Sequence, residues 1–89
     1  MTRNILFTAD AWAQYLFWQG QERKTLKRIN QLVEDARRSP FEGIGKPEPL
    51  KGNLTGFWSR RIDDTNRLVY KADDVAVSIV SCRYHYGDR

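Results

Sequence analysis

The positions of the prolines divide this chain into two parts with different apolar periodicity. All three prolines lie between residues 39 and 53, together with three of the six glycines. Proline cannot donate a backbone hydrogen bond and glycine weakens regular elements, so we expect helices and strands to end at this segment. Before this segment, apolar residues recur mainly at helical spacing. After it, they recur at the spacing that is typical of strands. This arrangement predicts an α+β domain.

One short strand and one helix are predicted at the start of the chain. The run "RNILFT", residues 3–8, has the composition of a strand. Either Thr8 or Asp10 can cap the helix that follows over "ADAWAQYLFWQ", and Gly20 ends it. Four side chains share one side of this helix: Trp12, Tyr15, Leu16 and Gln19.

A longer amphipathic helix is predicted over "ERKTLKRINQLVEDARR", residues 22–38. Its apolar positions follow helical spacing: Leu26, Ile29, Leu32, Val33 and Ala36. Its other face is basic, with Arg23, Lys24, Lys27, Arg28, Arg37 and Arg38. Because only a short break containing Gly20 separates the two helices, we expect an antiparallel helical hairpin.

Three strands are predicted after the proline segment, in the runs "TGFWSRRI", "RLVYKA" and "VAVSIVSCRYHY". The turns "DDTN" and "ADD" separate these strands. The predicted order is therefore β-α-α-β-β-β in a single domain of residues 1–89. We expect the helical hairpin to pack on one face of a mainly antiparallel sheet.

The composition limits the classes of protein to which the chain can belong. Its single cysteine, Cys82, rules out an internal disulfide framework, fits a reducing cytoplasm and is expected to be a small buried hydrophobe in a strand. No apolar run approaches the ~20 residues of a membrane span, and the N-terminus lacks a signal-peptide pattern. We therefore expect a cytoplasmic protein with no membrane partner. A formal charge of +4 and a pI of about 9.5 favour an anionic partner, above all nucleic acid.

Charges of opposite sign are segregated in the second part of the chain. Of the six acids after residue 46, four lie in the two predicted turns and one near the C-terminus. The predicted strands carry only basic charges: Arg60, Arg61, Arg67, Lys71 and Arg83. Such a sheet suits a bound polyanion, although for any one of these side chains a solvated outer face is the better interpretation. Arg60 and Arg61 must point to opposite faces of their strand, and periodicity does not say which face is the core.

The carboxylate of Glu48 stands apart from these turns. Pro47 and Pro49 flank Glu48 and favour a stiff, extended backbone at this position. An exposed loop glutamate is the ordinary explanation of such a sequence. The functional alternative is a carboxylate held ready to act as a general base.

The only histidine, His85, can donate or accept a proton near neutral pH. If the last strand stays regular to its end, Arg83 and His85 share a face of that strand. Taken alone, His85 is better explained as a polar residue in a fraying terminus. One histidine and one cysteine do not make the usual zinc patterns.

A carboxylate, an imidazole and several cations are together sufficient for metal-free cleavage of RNA. The 2′-hydroxyl nucleophile needs a base, and the leaving 5′-oxygen needs a proton. The crowded phosphorane between them needs cationic hydrogen-bond donors. The sequence therefore supports the hypothesis of a phosphodiester-cleaving site that contains Glu48, His85 and basic side chains.

Several motifs resemble one known family of proteins. The run "RRSPFEGIGKPEPLKGNLTGFWSRRI", followed by "RLVY" and "CRYHY", is similar to the YoeB family of bacterial toxins within the RelE superfamily. "AWAQYLFWQ" and "RINQLVEDARRSPFEG" extend the similarity over nearly the whole chain. The resemblance implies a RelE-like fold and a ribosome-dependent endoribonuclease that cleaves mRNA in the ribosomal A site. It also implies a silencing YefM-like antitoxin, and it leaves a homodimer possible.

The resemblance further implies roles for four catalytic residues. Glu48 would be the general base on the 2′-hydroxyl, and His85 would be the general acid for the 5′-oxygen. Arg67 would stabilise the charged transition state, and Tyr86 would orient the substrate. The products would be a 2′,3′-cyclic phosphate and a 5′-hydroxyl.

Four basic side chains are expected to bind the RNA phosphates: Lys46, Lys51, Arg61 and Arg83. No metal ion and no organic cofactor is implied. The chain departs from the family at its end, because "GDR" follows the His-Tyr pair, whereas family members end at or very near that pair. In this chain Tyr86 therefore lacks a terminal carboxylate, and residues 87–89 add the acid Asp88 close to His85 in sequence.

Two other functions stay open at this point. A ParE-like member of the superfamily shares the scaffold but poisons a topoisomerase without cutting RNA. The joint presence of Glu48, Arg67 and His85 argues against that alternative. A non-catalytic module that binds RNA or the ribosome would need only the basic face.

Overall fold

The computed structural model describes residues 2–84, in which two helices pack on one face of a five-stranded sheet. The elements in chain order are β1 (Asn4–Phe7), α1 (Ala9–Gln19), α2 (Arg23–Arg38), β2 (Glu48–Pro49), a short 3₁₀ helix (Gly52–Leu54), β3 (Trp58–Arg61), β4 (Arg67–Ala72) and β5 (Ala76–Ser81). The strand order is β1-β5-β4-β3-β2; β1 runs parallel to β5, and the other pairs are antiparallel. The predicted α+β class, helical hairpin and mainly antiparallel sheet are confirmed. Neither described helix has the length and apolar character needed to cross a membrane.

The helix boundaries follow the signals in the sequence. Of the two expected caps, Thr8 is the one used: its Oγ1 accepts a hydrogen bond from the Ala11 amide at 3.2 Å. Gly20 directly follows α1, and its amide donates to the Phe17 carbonyl. The buried side of α2 carries Thr25, Ile29, Leu32, Val33 and Ala36, with Leu26 partly buried, as its apolar spacing predicts.

The predicted row of α1 (Trp12, Tyr15, Leu16 and Gln19) does not form its buried side, although Tyr15 packs partly against the core. Ala11 and Trp18 are buried, whereas Trp12 and Leu16 are 47% and 45% exposed. The Trp18 indole donates a hydrogen bond to the Cys82 carbonyl at 2.9 Å. The small Ala11 allows close approach at the same place, since the Cys82 sulfur lies 3.7 Å from the Ala11 carbonyl oxygen. Cys82 is a fully buried free thiol, as expected, although it lies just after β5 rather than within it.

The core lies between α2 and the middle of the sheet. Side chains of α2 join apolar residues from β4 and β5 in one buried cluster, in which Leu68, Tyr70, Val77 and Ile79 have no solvent exposure. Two neighbouring strands thus present their buried faces to one amphipathic helix. Close packing of this kind leaves the opposite face of the sheet for a functional site.

The sheet contains one strand more than the sequence predicts, because residues 48 and 49 of the proline segment form β2. This strand pairs with β3 through Glu48 opposite Ser59 and Pro49 opposite Trp58. A proline is tolerated there because β2 is an edge strand. A two-residue strand is too short to show a period, so no local pattern predicts it.

The last strand is shorter than predicted and ends at Ser81. Tyr84 has a φ of +69°, a left-handed conformation that regular strands do not contain. The strand alternation that would place Arg83 and His85 on one face therefore does not extend to Arg83. His85 and Tyr86 lie outside the described residues.

Candidate active site

A small pocket of about 190 Å³ lies on the sheet where β2, β3 and β4 meet. It is lined by Lys46, Glu48, Ser59, Arg61 and Arg67. Four of these five residues were predicted from the sequence as site residues. The pocket therefore brings together one carboxylate and three cationic side chains.

The register of the strands produces this grouping. Glu48 of β2 lies opposite Ser59 of β3, and Arg61 lies opposite Arg67 of β4. Ser59 and Arg61 are two residues apart and share one face of β3. Directly opposite side chains start about 5 Å apart and diagonal neighbours about 7–8 Å apart, so long side chains from these positions reach one another. Glu48 is thereby placed one diagonal step from Arg61.

Arg67 is held in place by the turn between β3 and β4. Its Nη1 donates hydrogen bonds to the carbonyl oxygens of Asp63 at 3.0 Å and Asn66 at 3.3 Å. The Asp63 carboxylate in turn accepts hydrogen bonds from the amides of Thr65 and Asn66. Burial alone would raise the pKa of Asp63, but these hydrogen bonds bring it below its ordinary value. The turn thus stays closed and its carbonyls orient the Arg67 guanidinium.

The same turn also fixes the chain that leads toward the C-terminus. The Tyr84 amide donates to the Asn66 side-chain oxygen at 2.7 Å, and the Arg67 amide donates to the Tyr84 carbonyl at 3.0 Å. Tyr84 is therefore bound directly beside Arg67. It is the last described residue of the chain.

Arg61 contributes a cation whose present partner is easily exchanged. Its Nη2 lies 2.8 Å from the Asp64 carboxylate, and that carboxylate is fully exposed. An exposed ion pair of this kind contributes roughly 0–1 kcal/mol. A phosphate arriving at the pocket can therefore compete for the Arg61 guanidinium at little cost.

Lys46 enters the pocket from a loop with unusual backbone geometry. Lys46 has a φ of +52° and Gly45 has a φ of +80°. The Arg61 amide donates to the Gly45 carbonyl at 2.7 Å, which ties this loop to β3 just before Lys46. These contacts fix the chain from which both Lys46 and Glu48 extend.

Two predicted RNA-binding residues do not line this pocket. Lys51 is exposed and directly precedes the 3₁₀ helix. The Arg83 guanidinium lies over the Phe17 ring at 3.6 Å and over the Tyr84 ring at 4.7 Å, within a separate pocket of about 520 Å³. Both are accessible to a long ligand that extends beyond the first pocket.

The prediction that Arg60 belongs to an exposed basic face is wrong. Arg60 has no solvent exposure and forms a 2.6 Å ion pair with Asp35 of α2. Its strand neighbour Arg61 occupies the opposite face and the pocket.

Conversely, sequence reasoning gave no role to Ser59, which is nearly fully buried and lines the pocket. The signal for Ser59 was its position two residues from Arg61, on the same face.

Among residues 2–84 no group of three or more histidine, cysteine, aspartate or glutamate side chains is arranged to hold a metal ion. The charges in the pocket come mainly from guanidinium and ammonium groups. Such groups bind carboxylates and phosphates rather than metal ions. Fold and pocket together define a small α+β protein with a mainly cationic pocket on its sheet.

Comparisons with known proteins then identify the family. Residues 7–86 match the family described as YoeB-like toxin of bacterial type II toxin-antitoxin system. Toxin YoeB of Streptomyces coelicolor is 58% identical over 82 residues, which cover 92% of this chain and 98% of the relative. The chain belongs to the family of YoeB-like toxins.

Solved structures agree with this assignment. The YoeB dimer from Staphylococcus aureus has a TM-score of 0.89 and 47% identity, covering 97% of this chain and all of the other. A YoeB–YefM complex from the same organism has a TM-score of 0.86, with the same identity and coverage. The RelE-like fold inferred from the sequence motifs is thereby confirmed.

Proposed function

We propose that this toxin is a ribosome-dependent endoribonuclease that cleaves mRNA in the A site of cytoplasmic ribosomes. The observation that carries the proposal is the convergence of Glu48 with Lys46, Arg61 and Arg67 in one pocket. A carboxylate surrounded by cations is the arrangement that base-catalysed attack on a phosphodiester requires.

Glu48 is proposed as the general base that removes the proton from the 2′-hydroxyl. Its position on an edge strand leaves its exposed carboxylate open to a nucleotide that approaches from solvent. The resulting 2′-oxyanion attacks the adjacent phosphorus, forms the 2′,3′-cyclic phosphate and expels the 5′-oxygen. Because the base takes the proton directly, this step uses no cofactor.

Arg67 is proposed to stabilise the additional negative charge on the phosphorane. Its guanidinium is already oriented by two backbone carbonyls, so little rearrangement accompanies the reaction. Arg61 and Lys46, on either side, add positive charge to the same pocket. Three cations supply the charge stabilisation that a metal ion provides in other nucleases, and we propose that the reaction is metal-independent.

His85 is proposed as the general acid that protonates the departing 5′-oxygen, and Tyr86 is proposed to orient the substrate. Both residues follow Tyr84, whose backbone is bound beside Arg67. Histidine is suited to this role because it exchanges protons near neutral pH. Lys51 and Arg83, outside the pocket, are proposed to bind more distant phosphates of the message.

An acidic antitoxin of the YefM type is the proposed protein partner. The solved relative bound to YefM supports this partner, and the cationic pocket favours an acidic segment over it. A homodimer is also proposed, in line with the related YoeB dimer. The exposed side chains of Trp12 and Leu16 on α1 are candidates for such a contact.

The test is cleavage of a translated message by purified toxin, with the cut located by primer extension. Glu48→Gln keeps the size of the side chain but removes the base, so the rate should fall about 10²–10⁴-fold. Glu34→Gln is the matched control, because Glu34 is an exposed α2 residue whose ion-pair partner is Arg37. This control should cleave as the wild type does, and EDTA should not prevent cleavage of isolated RNA at high toxin concentration.

Two outcomes would contradict the proposal. If Glu48→Gln cleaves at the wild-type rate, the pocket carboxylate is not the base. If the wild-type toxin stops growth without cutting any message, the ParE-like alternative or the non-catalytic binding module is favoured instead.

A further inference from the structure

The buried arginine of β3 is surrounded by more hydrogen-bond acceptors than an ion pair requires. Arg60 donates from Nη1 to the Asp35 carboxylate at 2.6 Å and to the Ile44 carbonyl at 3.1 Å. It donates from Nη2 to the carbonyls of Ser39 at 2.7 Å and Glu42 at 2.9 Å. All the bonds of these two nitrogens thus go to α2 or to the segment that directly follows it.

The fifth donor of Arg60 completes the set. Its Nε donates to the Tyr70 hydroxyl at 2.9 Å, and this hydroxyl donates to the Pro40 carbonyl at 2.6 Å. Burial raises the pKa of Tyr70, against the opposing effect of Arg60, so the hydroxyl keeps the proton that it donates. Arginine has five N–H donors, and here every one of them is used.

The segment held in this way is residues 39–46, which we call the proline loop. It is the first part of the longer proline segment, residues 39–53. Four of its carbonyl oxygens are bound directly or through Tyr70, and its Ile44 amide donates to the Asp35 carboxylate at 3.0 Å. Burial alone would raise the pKa of Asp35, but Arg60 and the Ile44 amide hold it below its ordinary value. The proline loop is therefore bound around a charged centre made of Arg60, Asp35 and Tyr70, which we call the hub.

Close approach of the backbone reinforces this arrangement. At Gly43, which has a φ of +121°, an added Cβ would overlap the Asp35 carboxylate. At Gly45, with a φ of +80°, it would lie 2.6 Å from Leu32 Cδ2 and 3.1 Å from Arg60 Cβ. Only glycine combines these conformations with such short distances. The proline loop is thus shaped to lie directly on the hub.

We propose that Arg60, with Asp35 and Tyr70, is a positioning residue that fixes Lys46 and Glu48 in the pocket through the proline loop. The proposal rests on the proposed function, because it explains how the base of that reaction is aimed. The path is short: Arg60 holds residues 39–44, Gly45 is tied to Arg61, and Lys46 and Glu48 follow. Arg60 and Arg61 therefore serve the same site from opposite faces of β3.

A role in stability alone does not require this chemistry. Replacing a buried ion pair by apolar side chains of similar volume is often neutral or stabilising. A planar guanidinium, by contrast, can bind several oxygens in fixed directions at once. The hub therefore determines the path of the proline loop, which an apolar core would leave unspecified.

Two substitutions test the proposal without removing the arginine. Tyr70→Phe deletes one hydroxyl and thereby releases Pro40 and one donor of Arg60. Gly45→Ala adds a Cβ that would lie too close to Leu32 and to Arg60 of the hub. Its matched control is Gly56→Ala. Gly56 also has a positive φ, +98°, but an added Cβ there would meet nothing within 4 Å.

The primary measurement is the single-turnover cleavage rate at saturating ribosome concentration, divided by the folded fraction taken from an unfolding curve. A misplaced reacting group lowers rates by up to about 10²-fold. We expect a decrease of about 10- to 100-fold for Tyr70→Phe and Gly45→Ala, with ribosome affinity unchanged and the pH profile of the same shape. Gly56→Ala should stay within about twofold of the wild type. Equal losses in Gly45→Ala and Gly56→Ala, or a rate that falls only with the folded fraction, would overturn the proposal.

Amide hydrogen exchange provides a second measurement that is independent of activity. In Tyr70→Phe and Gly45→Ala, protection of the Ile44 and Arg61 amides should fall about tenfold or more relative to the Val77 amide of β5. If the wild type cleaves no RNA, the proposed function fails and this measurement alone decides the positioning role. Unchanged protection of both amides would overturn the proposal whether or not the protein cleaves RNA.

Discussion

Replacement of Arg60 by methionine is the most demanding test of how the site is built. Arg60→Met leaves an apolar side chain in a fully buried position and removes the partner of the Asp35 carboxylate. Removing one member of a buried ion pair costs about 3–5 kcal/mol, because the other charge is left uncompensated. The carbonyls of residues 39, 42 and 44 also lose their donor, but the loop carrying them can move toward water.

The expected loss in the free energy of unfolding is therefore about 3–5 kcal/mol. Asp35 limits this loss, since its side chain keeps 18% of its exposure and can be rehydrated. Domains have roughly 0.05–0.15 kcal/mol of stability per residue, so 89 residues correspond to about 4–13 kcal/mol. Arg60→Met should thus remove a large part of the total stability. The same replacement of an exposed arginine would remove almost none.

The assay is urea unfolding followed by the fluorescence of the three tryptophans. Arg61→Met is the matched control, because Arg61 is the next residue and its ion pair with Asp64 is exposed. This control should lose no more than about 1 kcal/mol. A loss below about 1 kcal/mol for Arg60→Met, or equal losses in both variants, would refute the energetic reasoning about the hub.

Two further predictions concern groups away from the pocket. Burial raises the pKa of the Cys82 thiol to about 12, so alkylation by iodoacetamide near neutral pH should occur only when the protein unfolds; rapid alkylation of the native protein would contradict this. In the folded protein the pKa of Asp35 lies below its ordinary value of 3.8. Between these two pKa values the unfolded chain therefore binds more protons than the folded protein. The stability that Asp35 contributes is present above the ordinary pKa and is lost as the pH falls through the folded-state pKa. Asp35→Asn should weaken this acid dependence of the urea midpoint, and an unchanged slope would show that Asp35 does not cause it.

The two helices and four of the five strands could be predicted because each has a clear local signal. α2 has a regular apolar stripe, and β4 is bounded by two turns. β2 could not be predicted, since its two residues are defined by pairing with β3 rather than by any local pattern. The end of β5 was missed because the positive φ at Tyr84 depends on contacts with Asn66, which is distant in sequence.

The pocket was predicted in part, for a similar reason. Alternation placed Arg60 and Arg61 on opposite faces but did not identify the buried one. Arginine is rarely buried, and Arg60 is buried because its donors are satisfied by Asp35, 25 residues earlier in the chain, and by Tyr70 and loop carbonyls. The grouping of Glu48 with Arg67 depends on strand register, which a single sequence does not contain.

Attack by the 2′-hydroxyl is the central claim, and one substituted message tests it most directly. The cleaved nucleotide, located by primer extension on a ribosome-bound message, is replaced by its 2′-deoxy counterpart and the reaction is repeated with the wild-type toxin. The all-ribose message should be cut at that position, and the deoxy message should stay intact there. Cleavage of the deoxy message at the same position and rate would contradict the claim.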